Sequence, residues 1–451
     1  MPEREDGVKP LEPALVPSDV AAPPSEALDA TGAALLEQVL DRDNLLRALK
    51  RVKANRGAPG IDGMTVTELP GYLLEAWPAI REALRAGTYR PQAVRRVEIP
   101  KPGGGVRLLG IPTALDRLIQ QALSQVLGPL FDPSFSNHSY GFRPGRSAHQ
   151  AVQAARAFIQ EGRRFVVDVD LARFFDRVNH DMLMARVARK VKDKRVLKLV
   201  RAYLTSGVMV DGVCVRTDEG TPQGGPLSPL LANILLDDLD KTLEQRGHAF
   251  CRYADDCNIY VRSRRAGERV MESVTRFLRE RLRLEVNTEK SAVDRPWKRK
   301  FLGFSFTGED VPRLRVAPQS LARAKVRLRQ LTWRRKGQSM DRTMANLNAY
   351  LRGWGNYFAL AQTPTPLKEL DAWVRRRLRA ILWHQWKKPK ARTRNLIRLG
   401  APADKARKWA NSGKKAWRMS SSPPLHQALG NAYWRTQGLV SLVELQRKRY
   451  S

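Results

Sequence analysis

Three cysteines in 451 residues, Cys214, Cys251 and Cys257, form no Cys-x-x-Cys pair, and the six histidines do not gather around them. A zinc site and a disulfide framework are therefore not expected, and the thiols suit packing positions of a cytoplasmic protein. Long apolar runs are missing too. No stretch supplies the 18 or more apolar residues of a membrane span, and the amino terminus lacks the charged and then apolar segments of a secretory signal, so no membrane partner is expected. Acid is scarce as well: 45 Asp and Glu face 80 Lys and Arg, a formal charge of +35. Such an excess is the electrostatic footprint of a polyanion binder.

Residues 1–30 depart from this pattern, being rich in Ala, Pro and acid with only Arg4 and Lys9 as bases. They read as a disordered leader. Helical periodicity begins beyond Thr31, with Leu35, Leu36, Val39 and Leu40.

What a strongly basic chain does with its few acids is informative. Asp255 and Asp256 are adjacent in Tyr253-Ala254-Asp255-Asp256, a turn between the apolar runs 250–253 and 259–261, which reads as strand, turn, strand. Paired carboxylates on a hairpin tip repel each other unless a divalent cation neutralises them. A partner comes from Phe165-Val166-Val167-Asp168-Val169-Asp170-Leu171, a β-branched strand ending in carboxylates. Asp170 is the first choice for a third ligand; Asp168 lies two residues away on the same face, and spacing leaves it open. Three carboxylates holding two Mg²⁺ ions about 4 Å apart would serve nucleotidyl transfer without a catalytic His or Cys.

Other segments have local readings. Lys101 and Arg107 bracket the glycine-rich tip of a hairpin, placing cations on neighbouring strands. Ser228 reads as an N-cap and Pro229 as a first-turn residue of a helix whose stripe of Leu230, Leu231, Ile234, Leu235, Leu239 and Leu243 runs to Gly247. The Gln223-Gly224-Gly225 loop before it is where a ligand could approach closely.

Taken in order, Pro59-Gly60-Ile61-Asp62-Gly63, Ile99-Pro100-Lys101-Pro102, Ser139-Tyr140-Gly141-Phe142-Arg143-Pro144, the Asp170 strand, residues 220–229, the Tyr-Ala-Asp-Asp turn and Phe301-Leu302-Gly303-Phe304 form a specific set. The chain from about 40 to 440 resembles a bacterial group II intron-encoded reverse transcriptase and maturase. The resemblance implies an α+β right-hand polymerase with fingers and palm, an α-helical thumb or maturase domain and a small basic C-terminal domain. It favours Asp170 over Asp168, so that Asp170, Asp255 and Asp256 are the implied catalytic and metal-binding residues. Lys101, Arg107, Phe175 and Gln223 are the implied contacts to the incoming deoxynucleoside triphosphate, with Phe175 excluding a 2′ hydroxyl and Phe174 in the core. Arg143 and Arg146 are implied template contacts. Pro226 and Cys257-Asn258 depart from the usual family text without touching a proposed ligand.

Beyond Phe306 the chain turns helical and more basic. Leu321, Val326, Leu328 and Leu331 read as one core stripe, and Leu347, Tyr350, Leu351, Trp354 and Phe358 as the next. Cations between them, including Arg334, Arg335 and Lys336, would face an RNA or duplex backbone. Residues 371–451 carry 20 basic and 3 acidic side chains and six of the ten tryptophans, a combination suited to structured RNA or single strands, although most of those rings read as core.

The expected division is a leader (1–30), fingers and palm (31–310), thumb or maturase domain (311–388) and basic C-terminal region (389–451). The expected activity is RNA-directed DNA synthesis on an RNA template with a DNA primer, joined to intron RNA binding for splicing and to target DNA for retrohoming. No HNH-type Cys and His pattern is present, so no endonuclease activity is expected. A splicing-only maturase and a reverse transcriptase of a retron or defence element are the alternatives.

Overall fold

The computed structural model describes residues 35–100, 106–210, 213–215, 219–220, 224–333 and 337–450. The expected leader, Lys101, Gln223, Arg334, Arg335 and Lys336 lie outside these residues, as does the side chain of Arg107.

Strands β1 (Val94–Pro100) and β2 (Val106–Ile111) form the antiparallel hairpin expected around residues 101–105. β1 also pairs in parallel with β4 (Val208–Val210), which pairs with β5 (Val213–Val215). The second four-stranded sheet holds β3 (Phe165–Val169), β6 (Ala249–Tyr253), β7 (Asp256–Val261) and β8 (Ala292–Asp294). Its order is β6-β7-β3-β8, antiparallel throughout. A short hairpin of β9 (Phe304–Phe306) and β10 (Leu314–Val316) leads into helices that occupy the rest of the chain. The architecture is α+β.

Strand alternation divides the β3-containing sheet between two cores. Val167, Val169, Phe250, Cys257, Ile259 and Val261 face one core with helices Ser228–Gln245 and Arg264–Leu282. Val166, Cys251 and Tyr260 face the other with helix Ala148–Gln160 and the helices beyond residue 318. Burial on both faces explains why these strands read as nearly continuous apolar runs.

Helix Ser228–Gln245 buries the whole predicted stripe. Its start differs from the expectation: Leu227 already has helical angles, so Ser228 is the first helical residue rather than the N-cap. The Gly225–Leu227 turn carries the chain into the helix before the serine is reached. At the other end, Gly247 takes φ +68° and donates to the Glu244 carbonyl while His248 donates to that of Leu243, a Schellman closure.

In helix Pro318–Leu331 the buried face is Ser320, Ala324 and Leu328, and Val326 is 50% exposed. Val326 lies two positions from both Ala324 and Leu328, which on a helix turns it away from the core. The division expected at residue 388 falls inside one continuous core. Leu442 and Leu445 of the last helix press on Gly355 of helix Met340–Phe358, and Trp434 joins Trp383 in the same cluster. Of the six carboxyl-side tryptophans, Trp383 and Trp434 are fully buried, Trp373, Trp386 and Trp409 are half-buried, and Trp417 is exposed. Among the described residues no helix is long and apolar enough to cross a membrane.

Candidate active site

Tyr253 pairs with Asp256, leaving Ala254 and Asp255 as a two-residue connection between β6 and β7. Ala254 has φ +58°, a left-handed conformation that strains an alanine. Three anchors hold it there. Gly141 lies so close beneath that a Cβ would stand 2.3 Å from the Ala254 nitrogen. The Ala254 carbonyl accepts from Arg252 Nη1 at 2.9 Å, and Asn233 Nδ2 donates to the Gly141 carbonyl at 2.8 Å. Arg252 itself is fully buried. It donates to both carboxylate oxygens of Asp240 (2.8 and 2.6 Å), to Asn233 Oδ1 (2.9 Å) and to Ser139 Oγ (2.8 Å). Sequence reading had picked out neither Arg252 nor Asp240.

Register decides how the acids meet. β3 pairs with β7 so that Asp168 stands opposite Asn258 and Val169 opposite Cys257. One step further along both strands brings Asp170 to Asp256, on the same sheet face. Asp170 is held by its backbone: its N–H donates to Ser291 Oγ (2.9 Å) and its carbonyl accepts from the Asn287 N–H (2.8 Å). Its carboxylate is one-third exposed, with Lys290 Nζ 3.9 Å away.

Asp168 has a different environment. Arg299 donates to its Oδ2 from Nε (2.9 Å) and approaches with Nη2 at 2.7 Å. In the orientation that satisfies both ends of its amide, the buried Asn258 donates to Oδ1 at 2.9 Å. Asn258 belongs to one of the two departures from family text, and its partner is the carboxylate not chosen as a ligand. Burial raises the Asp168 carboxyl above its ordinary value, with Arg299 opposing. Asp256 keeps a solvent-facing side, yet desolvation and then the charges of Asp255, Asp168 and Asp170 push its carboxyl up to about 7.

The strand register and the turn gather carboxylates in one corner of the sheet, and oxygen donors of this kind fit a hard divalent ion. Among the described residues, no three His, Cys, Asp or Glu side chains stand already closed on a metal position.

Residues 99–306 match the family model "Reverse transcriptase (RNA-dependent DNA polymerase)", and residues 321–400 match "Group II intron, maturase-specific domain". Protein YkfC of Escherichia coli (strain K12) is 32% identical over 299 residues, covering 57% of this chain and 78% of YkfC. The chain belongs to the group II intron reverse transcriptase/maturase family. Group II intron-encoded protein LtrA of Lactococcus lactis subsp. cremoris is 36% identical over 228 residues, half of this chain but only 38% of LtrA. A solved chain of a Cas6-RT-Cas1–Cas2 complex aligns with TM-score 0.36 and 24% identity over 55% of this chain and 43% of that one. The enzyme class expected from the sequence, RNA-directed DNA polymerase, stands on the domain match.

Of the other contacts expected of this reverse transcriptase, Phe175, Arg143 and Arg146 have described side chains. Phe174 is 2% exposed, whereas Phe175 is half-buried, their rings edge to face at 5.0 Å. The Phe175 carbonyl packs against Gly220, whose own carbonyl meets His180 Nε2 at 2.6 Å, so the start of the Gln223 loop is tied to the Phe175 segment. The two glycines after Gln223 are required by the protein's own packing. A Cβ on Gly224 would stand 2.7 Å from the Gly110 carbonyl, and one on Gly225 2.3 Å from Gln120 Oε1.

Arg143 is a correction to the sequence reading. Its side chain is 5% exposed; Nε donates to Asp132 Oδ1 (2.7 Å), and the other nitrogens donate to the carbonyls of Asp132, Ser136 and Ser139. Internal acceptors take four of the five guanidinium N–H groups of this buried side chain, so it is not presented to a template phosphate. Arg146 remains partly exposed, bonded to Asn137 Oδ1 (2.7 Å) and lying over the Tyr140 ring. Sequence reading missed Arg299, Lys290 and Ser291. Arg299 sits in the run Lys298-Arg299-Lys300 before Phe301, indistinguishable there from the general excess of base.

Proposed function

We propose that this protein extends a DNA primer along an RNA template by two-metal nucleotidyl transfer, with Asp170, Asp255 and Asp256 as the Mg²⁺ ligands. The observation that carries the reading is the register of β3 on β7, which sets Asp170 beside the Asp255-Asp256 turn while Asp168 is neutralised by Arg299. In the reaction the primer 3′ hydroxyl attacks the α-phosphorus of a deoxynucleoside triphosphate. The new phosphodiester bond forms as the α–β anhydride bond breaks, and pyrophosphate leaves with that bond's electron pair. Held by these carboxylates, Mg²⁺ would supply Lewis acidity that eases ionisation of the 3′ hydroxyl and departure of the phosphate oxygen. The β6–β7 turn and the Ser291 and Asn287 bonds hold the ligands rigidly. Phe175 lies against the sugar of the incoming nucleotide; Lys101, Arg107 and Gln223 contact the rest of it. Intron RNA, the template–primer duplex and target DNA are held by the basic surfaces, Arg146 and residues 334–336 among them, in splicing and retrohoming.

Primer extension on an RNA template tests the reading, with Mg²⁺ or EDTA and with Asp255→Ala beside wild type. Expected are Mg²⁺-dependent cDNA from wild type and none from the variant, with RNA binding retained. A folded wild-type protein that binds RNA and makes no cDNA would reassign the chain to splicing alone. Phe175→Val should relax discrimination against ribonucleotides, and unchanged discrimination would remove Phe175 from the role.

A further inference from the structure

The chain 138–143 is fixed on both sides of a single residue. The Arg252 N–H donates to the His138 carbonyl and the Tyr140 N–H to the Arg252 carbonyl, both at 2.9 Å, laying this segment along β6. Gly141 is wedged under Ala254, with its carbonyl held by Asn233. Arg143 is locked by Asp132 and three carbonyls. Between these anchors Phe142 adopts φ +59°, a conformation that is a true outlier for a bulky side chain, and its ring is 55% exposed. Six non-glycine residues among those described have positive φ, and two of them, Phe142 and Ala254, lie side by side here. A turn of this geometry is met without strain by glycine or asparagine. A strained backbone that also leaves a phenyl ring in water is explained by neither packing nor turn chemistry, which directs attention to function.

The ring does not stand alone. Its centroid is 6.3 Å from that of Tyr253, the first residue of the Tyr-Ala-Asp-Asp turn, at an interplanar angle of 44°. The two rings make an aromatic ledge continuous with the turn that bears Asp255 and Asp256. We infer that Phe142 is a nucleic-acid contact whose exposed face packs on the sugar and base of the terminal base pair of the template–primer duplex, positioning it against those carboxylates. This rests on the reading that Asp255 and Asp256 act at the primer terminus. It assigns the ring to the duplex, because a flat apolar face suits stacked nucleosides of any sequence.

The experiment uses the full chain with Phe142→Gly and Phe142→Trp. Glycine relieves the left-handed strain and removes the ring; tryptophan keeps an aromatic face. Unfolding temperature, affinity for a dye-labelled RNA/DNA template–primer and steady-state extension are measured on each, beside Asp255→Ala. For Phe142→Gly we expect an unfolding temperature no lower than wild type, duplex affinity about tenfold weaker and an unchanged KM for deoxynucleotide. Phe142→Trp restores duplex affinity. Unchanged duplex affinity in Phe142→Gly, a rise confined to the deoxynucleotide KM, or an earlier unfolding transition would each overturn the inference. Synthesis surviving in Asp255→Ala would fault the carboxylate assignment instead, so the two failures are distinguishable.

Discussion

Arg252 under the β6–β7 turn and Arg379 among the C-terminal helices are both nearly out of water, 0% and 4% exposed, but they are stabilised differently. Arg252 faces a buried carboxylate, and Asp240 holds its guanidinium charged against the desolvation that opposes it. Arg379 pairs with no acid among the described residues: it donates to the carbonyls of Ser420 (2.8 Å) and Leu429 (3.4 Å) and meets His426 Nε2 at 3.1 Å. Ser420 and Leu429 each end a short helix, where carbonyls lack intrahelical partners. Burial, with Arg375 and Arg376 nearby, pulls the Arg379 guanidinium down to about 10. The difference follows from composition. A region with 3 acids in 81 residues must neutralise a buried cation with backbone dipoles, whereas the palm places one of its acids where a strained turn needs a rigid support.

Substitution of these arginines breaks or sharpens the comparison. Arg252→Met strands Asp240 as a buried unpaired carboxylate, so stability should fall by about 3–5 kcal/mol, read by denaturant unfolding. Adding Asp240→Leu should recover much of that loss while synthesis stays low, because the Ala254 carbonyl has still lost its donor. Arg379→Met leaves carbonyls rather than a charge unmatched, and about 1.5–3 kcal/mol is expected. A loss equal to that of Arg252→Met would abolish the distinction. Arg143→Ala should destabilise by a similar ~1.5–3 kcal/mol and leave the salt dependence of RNA binding unchanged. Arg146→Ala should do the reverse, lowering the slope of log affinity against log salt by about one. The smallest effect belongs to Arg376, which stacks 4.1 Å over the exposed Trp417: alanine there should change stability by less than about 1 kcal/mol.

Much of the palm was legible in the sequence because its signals are local. The β6–β7 hairpin follows from two apolar runs around an Asp-Asp turn, and the stripe of helix Ser228–Gln245 from its period. Val326 shows the limit of listing apolar residues without checking their angle on the helix. The glycines of residues 220–225 announced a close approach but not to what, and the partners, Gly110 and Gln120, lie over a hundred residues away. Arg143 was misread for the same reason. In a chain that is nearly one-fifth Lys and Arg, nothing local separates a guanidinium buried on carbonyls from one facing phosphate.

By itself, the sequence determined the polyanion-binding charge, the strand and helix periods, and the pairing of Asp255 with Asp256 beside a β-strand that ends in two more acids. Only the tertiary structure decided what each of those two meets. Asp168 is neutralised by Arg299, 131 residues away, while strand register carries Asp170 to the turn. It also decided which arginines are scaffold. Charge and periodicity are properties of a chain, but desolvation and hydrogen-bond partners depend on what folding brings near.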